Sequence, residues 1–211
     1  MSTDPPPIVT TNEVPGFSGY SSQPGDIEGV SFWPRACARI IDTILYLVVG
    51  YCAGILFAVL VFIAAAGRPD PLQLAKMTHP GIIGFVVALL ASVAFHTICE
   101  SVHGSTPGKL VFSMVVVQED GSPCRPKGAF IRSLGCFVDS LFFGLIGYFA
   151  MQKSIKEQRH GDEWAHTIVC KRSLVSPQNL RGTGKFMMGL FLAIIAHAAL
   201  IMTGLVLALI S

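Results

Sequence analysis

Two stretches of the chain repeat one spacing of charges. Arg35-Ala-Cys-Ala-Arg-Ile-Ile-Asp42 and Arg132-Ser-Leu-Gly-Cys-Phe-Val-Asp139 each read arginine, two residues, a small residue, three residues, aspartate. On a helix that separation puts both charges on one face, two turns apart, too far for an easy direct contact. Pairing between two helices, Arg35 with Asp139 and Arg132 with Asp42, fits better. Such pairs could lock helices together or, as carboxylates at membrane depth, carry protons for transport. The plainest alternative is that they are ordinary interface charges.

Further residues could take part in chemistry. His96, Glu100 and His103 fall at i, i+4 and i+7, one stripe of a helix. The stripe could bind a metal or relay protons, with His96 and Glu100 as the core of the relay, or simply cap the end of a membrane span. His197 lies in the middle of an apolar run, where a hydrogen bond to a neighbouring helix is the simplest role. Asp162 follows Gly161, near Arg159 and Lys156, and is expected to fix a loop against a basic face. The six cysteines form no CxxC pair, so buried thiols are expected rather than disulfides or a metal site. Neither Gly108-Lys109 nor Gly184-Lys185 completes a phosphate-binding loop, and no nucleophile stands beside a base. The expectation is therefore no enzyme activity, no cofactor and no metal.

These charges must be positioned by helices in a bilayer. The chain is 52% apolar and only 13% charged, against roughly 25% charged in an average soluble protein. Three nearly charge-free runs, Thr43–Ala66, Pro80–Cys99 and Phe186–Ile210, are each long enough to cross a hydrocarbon core of about 30 Å. Ser31 is placed to cap the first helix, with Trp33 at the interface. Leu110–Gln118 and His166–Arg172 look like strands able to pair. Residues 127–158 look helical with a break at Gly144–Gly147.

The apolar stretch 127–151 could be a fourth span. Asp139 would then sit near the bilayer centre, at about 2.5 to 3.5 kcal/mol. With three spans instead, thirteen of the fifteen Lys and Arg fall on one face, with only Arg68 and Lys76 opposite, as the positive-inside rule favours. The expected fold is an all-α membrane protein: three transmembrane helices, an amphipathic or re-entrant helical hairpin and a small cytoplasmic two-stranded β element. Four transmembrane helices are the alternative.

Together these motifs resemble the RDD family of bacterial membrane proteins. The likeness rests on Arg35 and Asp42 at the start of the first span. It rests also on the turn Thr106, Gly108, Lys109 before Val115–Val117, and on Gly161, Asp162, Ala165, Thr167 and Val169. Glu100 falls where the family often has an acid. The resemblance covers roughly residues 32–172 and implies a multi-pass protein; some members are associated with cation/proton antiport. The expected organisation is a disordered tail at residues 1–30, an RDD-like membrane domain at 31–175, and a linker with a C-terminal transmembrane helix at 176–211. The expected function is proton-coupled transport of a small cation or solute. Three spans are too few to enclose a path, so a homo-oligomer or a partner membrane protein is implied. The rival is a non-transporting interaction or scaffold module whose basic cytoplasmic face holds anionic lipids or a partner protein. Polar residues in the spans are few (Ser92, His96, Thr97 and His197), which favours that rival. No nucleic acid is expected as a partner. The expected location is the bacterial inner membrane, with the N-terminus cytoplasmic.

Overall fold

A computed structural model describes residues 27–65 and 81–210 of the protein. Residues 1–26, most of the expected tail, and the expected loop Gly67–His79 lie outside the described residues.

The first helix, α1 (Phe32–Ala64), begins after Ser31, whose backbone is extended. Ser31 holds the capping position but its side chain makes no capping hydrogen bond. Pro34 sits in the first turn, where its missing N–H leaves no bond unmade. At 33 residues the helix is about 50 Å long, well beyond a core of about 30 Å. Its first turns, Arg35 to Asp42, therefore stand at or outside the membrane boundary. Two more helices, α2 (Gly81–Val102) and α7 (Thr183–Ile210), are long and apolar enough to cross. The three pack around Phe95, Cys99 and Ala193, with Leu45, Tyr46 and Leu190 at the edge. Their outward faces are bare of partners: Ile63 is 66% and Ile82 73% exposed. Apolar surface of that extent belongs against lipid.

Between α2 and α7 the chain builds the element that carries most of the charges. A short helix, α3 (Pro107–Val111), leads into β1 (Met114–Gln118), which pairs antiparallel with β2 (Thr167–Lys171), Val116 opposite Val169. Both faces of this two-stranded sheet are buried. Met114 and Val116 pack with Ala38 of α1 and with Ala129; Val115 and Val117 pack with Val175 and Ile27. That explains an unbroken β-branched run where a sheet wetted on one face would alternate. Two isolated strands are marginal in water, so this pair depends on the helices around it. Residues 27–30 run alongside, and the Val30 N–H donates to Val169 O at 2.8 Å.

The ambiguous apolar stretch forms α4 (Pro126–Ser140), a 3₁₀ turn (Leu141–Gly144) and α5 (Leu145–Lys153). The two helices meet at 111°. Gly144 takes φ 88°, a left-handed conformation that costs glycine nothing and other residues about 1 kcal/mol or more. With 15 and 9 residues, the helices are about 22 and 14 Å long, and neither crosses alone. The architecture is three membrane-spanning helices, a re-entrant bent pair and a small two-stranded sheet.

The bend makes a topological prediction. Lys127 in α4 and Ser173 after β2 are both exposed. Cysteines placed at these positions, in a background lacking the native thiols, should react with an impermeant maleimide from the same side of the membrane. Labelling from opposite sides would turn the bent pair into a fourth span.

Candidate functional site

The charged residues converge where α1, α2 and α4 meet the sheet. The centre is Asp162, on the short helix α6 (His160–Trp164) and only 1% exposed. Its Oδ2 accepts from Arg35 Nη1 at 2.6 Å, and its Oδ1 accepts from Arg132 Nη1. Oδ2 also accepts from the Arg159 backbone N–H at 3.2 Å, so the carboxylate closes the first turn of its own helix. Arg132 Nε reaches on to Glu100 Oε2 at 2.9 Å, and Glu100 Oε1 accepts from Lys109 Nζ. The result is a buried chain, Arg35–Asp162–Arg132–Glu100–Lys109, linking α1, α6, α4, α2 and α3. Arg35 spends its remaining donors on backbone: Val30 O and Glu157 O, each at 2.7 Å, and Val169 O at 3.3 Å.

The expected cross-pairs, Arg35 with Asp139 and Arg132 with Asp42, are not formed. A third acid, from α6, stands between the two arginines and takes both. The two aspartates, two turns further along their helices, meet other donors. Asp42 Oδ2 accepts from Thr106 Oγ1 at 2.6 Å and Oδ1 from the Gly108 N–H at 2.7 Å. Asp139 Oδ1 lies 3.1 Å from His160 Nδ1, and Oδ2 accepts from the Gly161 N–H at 3.4 Å.

The Thr106-Pro-Gly-Lys109 turn is thereby explained residue by residue. Thr106 caps α3, accepting from the Lys109 N–H at 3.4 Å, while its hydroxyl proton goes to Asp42. Gly108 lets α3 touch α1, since a Cβ there would stand 2.1 Å from Ala38 O. Lys109 carries its charge to Glu100.

The stripe of His96, Glu100 and His103 divides. His96 Nδ1 lies 2.8 Å from Ser92 O, and its Nε2 is 3.9 Å from Asp42 Oδ2 with no hydrogen-bond partner among the described residues. Glu100 belongs to the ion-pair chain. His103 turns towards α7, its ring against Phe186 and its Nε2 3.4 Å from Arg172 Nη1. Burial, with the charges of Arg172 and Arg181, holds His103 below the usual imidazole value. Burial likewise lowers the Lys109 ammonium, although Glu100 offsets part of that. His197 is buried between α1 and α7 beside Tyr46. Among the described residues there is no group of three or more His, Cys, Asp or Glu placed to hold a metal ion.

The RDD family model matches residues 30–166, well over half of the chain and inclusive of every charge in this network. The chain belongs to the RDD family. No curated protein and no solved structure matches it. The RDD match stops before α7, so the third span and His197 lie beyond it.

Sequence reasoning missed two partners within the RDD domain. One is His160, which faces Asp139; its position just before Gly161-Asp162 was the available signal. The other is Arg39, which carries no motif of its own. It lines a polar cavity of about 20 Å³ with Asp42, His96, Glu100 and Ser133, roomy enough for about one water.

Asp162 generates a stability prediction. Burial alone would raise its carboxyl, but the charges of Arg132, Arg159 and Arg35 outweigh that and hold it well below the ordinary 3.8. A depressed acid contributes its full stabilisation above its unfolded value and loses it as pH falls towards the folded one. Asp162→Asn strands two buried guanidiniums and should cost about 3 kcal/mol or more at pH 7. In detergent melts, the gap between wild type and variant should hold above about pH 5 and narrow below about pH 4. Arg35→Met combined with Asp162→Asn should cost less than the sum of the two single losses; additive losses would dissolve the pair.

Proposed function

We propose that this RDD protein exchanges protons for a small cation or solute across the bacterial inner membrane, as an oligomer rather than as an enzyme. The observation that supports this is a division among the acids. Asp162 and Glu100 absorb the arginines and the lysine. Asp42 and Asp139 have no arginine or lysine within ion-pair distance among the described residues, and each faces an imidazole instead.

The Asp42–His96 pair has the chemistry of a proton site. A backbone carbonyl can only accept, so the 2.8 Å contact to Ser92 O puts the proton of a neutral His96 on Nδ1. Nε2 then presents a lone pair towards Asp42 across the small polar cavity, at 3.9 Å. One water between them could donate to both, and a proton arriving there has two bases to share it. Asp42 is itself held by Thr106 and Gly108, so its position survives a change of charge. The positive-inside bias supports an orientation with this end of the molecule, and the N-terminus, in the cytoplasm.

The rival is a membrane interaction module with a purely structural network. The observation in its favour is the saturation of Arg35, Arg132 and Lys109, which have no charge left for a moving ion.

Purified protein in liposomes with an imposed pH gradient separates the two. Wild type should dissipate the gradient when a suitable monovalent cation is added. Asp42→Asn keeps the shape and part of the hydrogen bonding but cannot change charge. It should abolish coupling while lowering the melting temperature only slightly. A wild type that moves no protons with any of a panel of cations would shift the case to the interaction module. So would an Asp42→Asn loss that merely tracks stability.

A further inference from the structure

The cations at this end of the molecule are unequally used. Arg35, Arg132 and Lys109 are committed to acids and backbone carbonyls. Arg39 is not: among the described residues its guanidinium makes neither an ion pair nor a hydrogen bond, and only its carbonyl is engaged, by Thr43 Oγ1. Arg159 is half committed. Its Nε stands 3.9 Å from Asp162 Oδ2 and is buried without a hydrogen-bond partner, and its Nη1 reaches only Cys136 Sγ, at 3.9 Å.

Both arginines line one cavity of about 280 Å³, enclosed by α1, α4 and α5. Its walls are of two kinds. Arg39, Arg159 and Asp139 supply charge; Phe32, Ile40 and Met151 are apolar. Asp139 is already engaged by His160 and the Gly161 N–H, and Arg35, also in the wall, by Asp162. Two under-used guanidiniums therefore face the space against one engaged carboxylate. The surrounding surface is apolar and exposed at Ile40, Ile44, Leu145 and Phe149, as a flank bathed in lipid would be. Trp33, 72% exposed one turn before Arg35's neighbours, suits headgroup depth.

We propose that this cavity binds the phosphate of an anionic phospholipid, with the glycerol and the first methylenes lying on Phe32, Ile40 and Met151. Guanidinium matches phosphate because its N–H groups donate in pairs to two oxygens. A free phosphate ion would use the arginines alone and leave the apolar half of the cavity unused, which is why the lipid is favoured. The two cavities share Arg35, Arg39, Cys136 and Arg159 on the wall between them, whereas Phe32, Ile40 and Met151 line this cavity alone and Asp42 and His96 the other alone. Lipid binding is therefore tested apart from proton coupling at Ile40, and proton coupling apart from lipid at Asp42.

The test uses delipidated full-length protein in detergent. Phosphatidylglycerol, phosphatidylcholine and inorganic phosphate are added separately, with binding read by native mass spectrometry and by melting temperature. Phosphatidylglycerol should be retained at one per chain and raise the melting temperature; the other two should do neither at equal concentration. Arg39→Gln, at a partly buried position whose guanidinium makes no ion pair or hydrogen bond among the described residues, should melt close to wild type when lipid-free. It should bind phosphatidylglycerol about tenfold more weakly or worse, the loss of a hydrogen bond to a charged group. Ile40→Asn, on the exposed rim, should weaken the lipid and leave any inorganic phosphate binding unchanged. Equal retention of phosphatidylglycerol and phosphatidylcholine would overturn the proposal. So would an Arg39→Gln variant that binds as wild type does, or inorganic phosphate that reproduces the whole shift and marks a free-anion site.

Discussion

A carboxylate sealed from water is tolerable only when its charge is matched on the spot, and Asp162 makes the whole arrangement conditional on that match. Stripping hydration from one carboxylate costs several kcal/mol. The compensation comes from Arg35 on α1 and Arg132 on α4, each donating directly to it. Neither guanidinium is available until its helix has docked. Conversely, Arg35 and Arg132 are themselves buried and need Asp162 to be tolerated there. The membrane helices and the small sheet therefore cannot assemble independently. The same coupling explains how a two-stranded sheet persists: its register places Thr167 under Arg132 and Val169 O under Arg35.

Once Asp162 and Glu100 have absorbed the strong cations, the remaining acids are released for weaker partners. Asp42 and Asp139 bond to hydroxyl, amide and imidazole groups, whose donors are neutral or can become so. An arginine paired directly with either aspartate would favour its ionised form far more strongly. An imidazole permits a change of protonation. The segregation of arginines to one pair of acids and imidazoles to the other is thus the structural precondition for any proton chemistry, and it also supplies the lock. The two roles divide between residues rather than competing at one.

Much of the fold was legible because it follows from composition and local rules. Three runs free of charge and a glycine at the break act through their own neighbours and appear where expected; of the expected strand Leu110–Gln118 only Met114–Gln118 is extended, because Leu110 and Val111 complete the short helix that Thr106 caps. Partner choice was not legible. The repeated arginine–aspartate spacing says only that four charges share helical faces; it holds no information about a fifth charge over a hundred residues from Arg35. Asp162 was recognised as an anchor for its loop, and the missing step was that its anchorage is the two arginines themselves. His160 escaped for the same reason: its place just before Gly161-Asp162 marks it as part of the motif, but nothing local says that Asp139 lies across the helix contact. The capping hydroxyl of Ser31 went unused because the segment before it, through Val30, is already bound to β2 and to Arg35.

The third span adds a constraint that the family domain alone would lack. Packed against α2, α7 closes the bundle around Phe95 and Tyr46, and His197 stacks between them. Tyr46 also lies edge-on to His96, one turn beyond Asp42, so aromatic rings cover the deep side of the Asp42–His96 cavity. Beyond those rings, α1, α2 and α7 leave a cavity of about 350 Å³ whose walls include Tyr46, Gly50, Val87, His197 and Ile201. On the transport proposal, an ion leaving the Asp42–His96 site would pass Tyr46 into this cavity, where Leu47 and Tyr51 stand exposed at the side of α1. The lining is mostly apolar, with His197 and two tyrosines as its polar groups, so on that proposal an ion would pass only if a second copy or a partner brought further polar groups against it. The need for an oligomer thus belongs to the transport proposal, and it follows from the lining that α7 supplies, Ile201, Gly204 and Leu205, which apart from His197 offers an ion no side-chain ligand.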